Sequence, residues 1–327
     1  MKQKYPTYTV AIRTLGKAGE KYQAELNSLA NQSLKAESIN VYIPYGYDIP
    51  KETAGQEKYY RCEKGMIAQR ALPFTEITTD YILFLDDDMV LPPNAVEDMF
   101  DKLAEENGEC ISVSFEPPEA ITVKNILKRA IISGWYPHRD GNVAWKVGIN
   151  GEYAFPANPT AKVLATECVS FAIILISKSA YDKMRFDEER WLDAFGYSVH
   201  GEAVFGCKLI SRGVQPYLYY ADGYRHLDAR CGHAGCEYIG DAKKLGCRLA
   251  VWHRLVYSRK NRGAFYKAMA VVAFSSFILR QYFLRGLRDL FLGEPQFFWL
   301  AIRELRSAWR LIHSEPYKSL EPLDVGD

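Results

Sequence analysis

Three short apolar runs separated by long spacers constrain this chain's fold more than any other feature. They are YTVAIRT (Tyr8–Thr14), INVYIP (Ile39–Pro44) and YILFL (Tyr81–Leu85). None alternates cleanly between apolar and polar residues, which is how strands buried on both faces of a sheet read. The spacers of roughly 25 to 40 residues suit crossovers through helices rather than hairpins. In the first spacer Tyr22, Leu26 and Leu29 recur at helical spacing. The second holds YYRCEKGMIAQRALPF, read as a helix closed by Pro73. Pro92 and Pro93 then open the helix NAVEDMFDKLAEE, and the strand CISVSF follows. Further on, ECVSFAIILISKSAYDKM reads as a strand running into a short helix. A loop, a helix from Gly201, a glycine stop at Gly213 and a final strand complete the pattern. The fold class is α/β, a Rossmann-like, mostly parallel sheet flanked by helices.

In open α/β sheets, ligands bind outside the carboxyl ends of the strands. Two such ends carry polar chemistry. The third run passes directly into Asp86, Asp87 and Asp88. Extended-chain alternation puts Asp86 and Asp88 on one side and Asp87 on the other, and two same-side carboxylates call for a cation. The first run ends in RTLGKAG (Arg13–Gly19), which is neither a dinucleotide fingerprint nor a Walker loop. A phosphate site here therefore relies on a metal rather than on a glycine cradle. Residues 116–165 are irregular and aromatic, with Trp135, Tyr136, Trp145, Tyr153 and Phe155 among Gly and Pro. Such rings stack on sugars or anchor a long loop.

These motifs in this order resemble a family 2 glycosyltransferase of the GT-A fold over roughly residues 7–230. The resemblance rests on SLANQSL before the second strand, Arg70 in IAQRA, LFLDDD, and RFDEERWLD followed by GEAVF. It implies an inverting, metal-dependent enzyme that moves a sugar from a nucleotide-diphosphate donor to an acceptor hydroxyl. Mn2+ or Mg2+ would be the cofactor, since hard cations take carboxylate oxygens. The implied metal ligands are Asp88, Asp86 and, on a downstream loop, His226. The implied donor site is Arg13, Thr14, Leu15, Arg70, Asp86 and Asp87, with Asp87 in a structural part. Trp191 and Trp135 are the acceptor candidates. Two departures stand out. Asp48 lies four residues beyond the usual base-reading acid, which leaves that task to backbone and Thr14. The family's Glu-Asp pair is Glu202-Ala203 here, so Glu202 is the first candidate for the general base, Asp193 the second and His200 a distant third. Cys231, His233 and Cys236 have no standard zinc spacing. A sugar nucleotidyltransferase, which would carry a glycine- and lysine-rich first loop, and a non-catalytic sugar-nucleotide binder are the alternatives.

Residues 1–240 are read as the catalytic domain and 241–327 as a helical C-terminal extension. The net charge of +1 conceals an asymmetry, because residues 248–310 hold twelve Lys or Arg against three Asp or Glu. Phe298, Ile302, Leu305, Trp309 and Ile312 form an apolar helical stripe beside Arg303, Arg306 and Arg310. Basic amphipathic helices of this kind lie in anionic bilayer interfaces, or else pack on their own domain. The longest apolar run, Ala264–Leu279, is too short to span a bilayer. With seven cysteines in odd number and no apolar leader in MKQKYPTYTV, the expected place is the cytoplasmic face of the cell membrane. A nucleotide-sugar donor and a glycan or lipid-linked glycan acceptor of a bacterial surface polysaccharide are the expected partners, with no nucleic acid.

Overall fold

A computed structural model describes residues 4–114, 136–156, 159–196, 199–227, 237–293 and 296–325. The three apolar runs form β1 (Tyr8–Arg13), β2 (Ser38–Pro44) and β4 (Tyr81–Asp86), and helices α1 (Glu20–Ala30) and α2 (Ala95–Glu105) follow the expected patterns. The stretch expected to be the second crossover helix divides instead. Glu57–Cys62 is the strand β3 at the sheet edge, and residues 65–71 make little more than one helical turn. Tyr59, Tyr60 and Cys62 favour a strand, and Tyr60 stacks on Tyr42 of β2 with ring centroids 5.4 Å apart.

Short β5 (Met89–Val90) precedes α2, and β6 (Cys110–Ser114) follows it. A small separate sheet joins β7 (Tyr136–His138), β8 (Lys146–Val147) and β9 (Tyr153–Pro156). Next come β10 (Val163–Ala165), β11 (Ile173–Ser177), α3 (Lys178–Met184), a 3-10 segment Phe186–Phe195, α4 (Gly201–Ser211), β12 (Pro216–Tyr220) and β13 (Arg225–His226). The main sheet has eight strands in the order β10-β12-β6-β11-β4-β1-β2-β3. Only β10 and β11 oppose the common direction, so the carboxyl ends of β1, β4, β6 and β12 share one edge.

Both faces of the sheet are buried. Leu83, Leu85, Val10 and Ile12 meet α1 and α2, whereas Ile82, Phe84, Ile174 and Ile176 face α4 and the C-terminal helices. Those helices are α5 (Glu237–Trp252), α6 (Ala264–Ile278), α7 (Leu284–Phe291) and α8 (Gln296–Ile312). Residue 240 falls inside α5, and Cys247, Ala250, Val251, Leu255 and Tyr317 share one buried cluster with Ala203, Val204 and Phe205. Three arginines of the basic stretch fasten the extension to the sheet domain. Arg248 pairs with Glu152, Arg254 Nη2 reaches Glu189 Oε1 at 2.7 Å, and Arg259 Nη2 reaches Glu167 Oε2 at 3.1 Å. The buried seam of α8 is Phe297, Ala301, Glu304, Ala308 and Ile312, rotated from the stripe read in the sequence, and Trp309 is exposed. Ala301 and Ala308 face inward because α5 and α8 pack closely: a Cβ on Gly246 would stand 2.9 Å from the Glu304 carbonyl oxygen.

Candidate active site

A cleft of about 400 Å³ opens at the shared carboxyl edge. Arg13 from the end of β1, Asp86 from the end of β4, Ser114 from β6 and Leu218 from β12 line its floor. Trp145, Tyr153 and Phe171 supply an aromatic wall, and Glu202 in the first turn of α4 and His226 complete it.

The aspartate triplet divides into three different tasks, because the strand ends at Asp86 and the backbone then turns. Asp86 is gripped by two guanidiniums. Arg13 donates Nε and Nη2 to its two oxygens at 2.7 Å each, and Arg70 donates Nη2 to Oδ1 at 2.9 Å. Burial pushes this carboxyl up, but the two arginines outweigh burial and hold it below its ordinary range. Burial, with Arg13 close by, pulls Arg70 down to about 9. The Arg70 guanidinium also lies 4.1 Å from the Phe171 ring centroid.

Asp87 accepts the Thr14 hydroxyl, and burial pushes its carboxyl up to about 6. Thr14 Oγ1 also accepts the Gly16 amide at 2.8 Å. Gly16 has φ +69°, and a Cβ there would meet the Asp48 carbonyl oxygen at 2.3 Å. The loop carrying Leu15 therefore touches the Asp48 backbone rather than its carboxylate.

Asp88 is paired with His226, Oδ1 to Nε2 at 3.1 Å. The contact is built by the antiparallel pairing of β5 with β13, in which His226 registers with Met89, and by the Leu227 amide donating to the Asp88 carbonyl at 2.9 Å. A carboxylate and an imidazole this close together are donors that would suit a divalent ion such as Mn2+ or Mg2+. Among the described residues no cluster of three or more acids, histidines or cysteines encloses a metal.

Residues 52–159 match the family model described as Glycosyl transferase family 2. Over that stretch, which holds Arg70, the aspartate triplet and Trp145, the chain resembles a family 2 glycosyltransferase. A solved structure of GalNAc-T7 with UDP, GalNAc and Mn2+ is similar in fold, with a TM-score of 0.53 at 12% identity. The likeness covers 89% of this chain and 59% of that one. It establishes the GT-A architecture, a mostly parallel sheet flanked by helices. No curated protein matches the chain in sequence.

Against that fold the remaining candidates can be placed. Glu202 lies in the cleft, whose lining it shares with Tyr153 and Arg70. Ala203 is buried in the core behind it. Asp193 lies outside the cleft lining and accepts the amides of Ile67 at 3.0 Å and Ala68 at 2.7 Å. Its carboxylate caps the turn that carries Arg70, and Gly65 leaves the space it occupies, since a Cβ there would meet Asp193 Oδ2 at 2.4 Å. Trp191 also lies away from the cleft, where it donates Nε1 to Glu189 at 2.7 Å and packs edge-on against Tyr317. Trp135 and the Cys231, His233 and Cys236 group lie outside the described residues. Of the ring-rich loop read in the sequence, Trp145 and Tyr153 reach the cleft, where Phe171 joins them.

Proposed function

We propose that this protein is a glycosyltransferase that moves a sugar from a nucleotide-diphosphate donor to an acceptor hydroxyl with inversion, using a divalent metal. One observation carries the reading: the cleft joins an end lined by Arg13, Arg70 and His226, with Asp88 paired to His226, to a carboxylate in Glu202. Asp88 and His226 would hold Mn2+ or Mg2+, which when bound neutralises charge on the departing diphosphate. Arg13 and Arg70 already bind a carboxylate, and planar guanidiniums take phosphate oxygens in the same way. Asp86 keeps them aimed before the donor arrives. Glu202 takes the acceptor proton while the acceptor oxygen bonds to the anomeric carbon, and the sugar–phosphate bond breaks with its electron pair going to the diphosphate. Asp86 also lines the cleft, but its oxygens are engaged by arginine, which favours Glu202 over it as base. Trp145 and Tyr153 offer faces for sugar rings.

The test is transfer and donor hydrolysis across a panel of nucleotide sugars, with manganese, magnesium or chelator. Turnover that needs the metal and is lost in Glu202→Gln supports the reading. Pyrophosphate release from a nucleoside triphosphate and a sugar 1-phosphate would instead make the protein a nucleotidyltransferase, and donor binding without turnover would make it a binder.

The acceptor proposed is a lipid-linked glycan of a bacterial surface polysaccharide, met at the cytoplasmic face of the cell membrane. What supports this is the outer surface of the extension. Phe265, Val272, Phe283, Phe291, Trp299 and Trp309 are exposed there, with Arg280, Arg306 and Arg310 exposed nearby. No helix among the described residues is long and apolar enough to cross a membrane. Sedimentation with vesicles containing anionic lipid, weakened by salt and by a Phe265→Glu/Val272→Glu pair, is the expected behaviour. Equal sedimentation of wild type and the pair would remove the membrane from the proposal.

A further inference from the structure

We propose that Arg248, on α5 of the extension, is a positioning residue for Glu202 that acts through Glu152, His200 and Tyr153. The inference rests on Glu202 being the base. Glu202 stands in the first turn of α4, and the residue that starts this helix is His200. The His200 carbonyl accepts the amides of Ala203 and Val204 at 3.1 Å each. Its φ is +57°, in the left-handed region that a residue with a Cβ seldom occupies. Such a conformation persists only where the surroundings impose it.

The surroundings are a buried polar cluster. His200 Nε2 lies 3.2 Å from Glu152 Oε1 and 3.3 Å from Arg248 Nη1, and Arg248 is ion-paired with the same Glu152 oxygen. Burial brings the imidazole down to about 4, so it is neutral at pH 7. With Nε2–H given to Glu152, the Nδ1 left without a partner among the described residues is an acceptor, the cheaper atom to strand. The His200 ring stands perpendicular to Tyr153 with centroids 4.4 Å apart, and Tyr153 lines the cleft together with Glu202. Burial keeps that phenol protonated, as a donor. The helix start that carries Glu202 and the Tyr153 ring that lines the cleft with it are thus both set against His200.

Helix α5 fixes the other end. Trp252 donates Nε1 to the Ile149 carbonyl at 3.2 Å, and Gly151, with φ +79°, lies so close to Trp252 that a Cβ would stand 2.9 Å from the tryptophan Cβ. The turn presenting Glu152 and Tyr153 is thereby seated on the helix that carries Arg248. A fold needing only to start α4 here would use glycine at 200 and an apolar residue at 248. The charged cluster instead sets the direction of one carboxylate in the cleft.

The experiment compares Arg248→Ala, Arg248→Lys and the pair Arg248→Met/Glu152→Gln, which leaves no charge stranded, in the full chain. Arg248→Ala is expected to lower kcat 10- to 100-fold with donor KM within twofold, and Arg248→Lys to recover most of the loss. The Ala203 and Val204 amides are expected to exchange hydrogen faster in Arg248→Ala, while those of β4 keep their protection. The charge-free pair is expected to show the same kcat loss. Wild-type kcat in a folded Arg248→Ala or in the pair overturns the proposal, as does faster exchange spread evenly over the sheet. If the wild type transfers no sugar, the enzymatic reading fails, and the exchange measurement, which needs no substrate, still decides the positioning role.

Discussion

Replacing Asp86 by asparagine tests whether this carboxylate braces arginines or binds metal. Its two oxygens receive three N–H donors from Arg13 and Arg70, at 2.7, 2.7 and 2.9 Å. Asparagine keeps one acceptor oxygen and turns an NH2 group toward a guanidinium, so at least one attractive contact becomes donor against donor. Each charge-assisted bond is worth about 1.5–3 kcal/mol. The side chain of Arg70 is only 4% exposed and that of Asp86 21%, so solvent does little to compensate the lost charge. Stranding a buried partner costs about 3–5 kcal/mol, and that is the loss expected in the unfolding free energy of metal-free Asp86→Asn. Asp88→Asn makes the contrast. Its partner His226 is one-third exposed, and losing such a half-open pair costs about 1 kcal/mol or less. Urea unfolding in chelator measures both variants, and calorimetric titration with manganese and a nucleoside diphosphate follows. Asp88→Asn should lose the metal response with little loss of stability. An Asp86→Asn protein within 1 kcal/mol of wild type, or an Asp88→Asn protein with unchanged manganese affinity, would refute the division of labour.

Glu202→Gln should keep donor binding and lose about 10²- to 10⁴-fold in turnover, read from single-turnover transfer. Ala203→Asp should lower the melting temperature without adding activity, because position 203 faces the core rather than the cleft. Arg254→Met leaves Glu189 short of its main partner and should cost about 3–5 kcal/mol, with Glu189→Gln/Arg254→Met recovering part of it in a urea melt. A separate melting of the extension would contradict the shared core. Burial, with His313, Arg254 and Lys267 nearby, lowers His253 to about 4. The unfolded chain takes the proton first, so this group's contribution is intact above pH 6.5 and lost as pH falls toward 4. Urea midpoints at pH 7 and pH 4.5 should differ less in His253→Gln than in wild type.

The strands at Tyr8, Ile39 and Tyr81 were legible because both of their faces are buried, which leaves an unbroken apolar run in the sequence. Edge strand β3 was not, since Glu57, Lys58 and Arg61 alternate with half-buried tyrosines and mimic a polar helix. The aspartate triplet showed where the site lies but not its division of labour. Strand alternation ends at Asp86, and the partners Arg13, Thr14 and His226 arrive through sheet topology. Glu202 was legible as a member of a motif, and the structure adds Tyr153 and Arg70 to the same cleft. Asp193 and Trp191 carried the same motif signal, yet their side chains serve the Arg70 turn and Glu189. The basic stretch misleads most easily. A charge count treats Arg248, Arg254 and Arg259 as surface residues, whereas they pair inside the protein with Glu152, Glu189 and Glu167.

The pairing of β5 with β13 gives the Asp88–His226 contact a mechanical meaning as well. These two residues are far apart in the chain, and only two registered positions hold their strands together. An ion shared between them would act as a removable cross-link, closing a long loop as a disulfide does but opened by chelation rather than reduction.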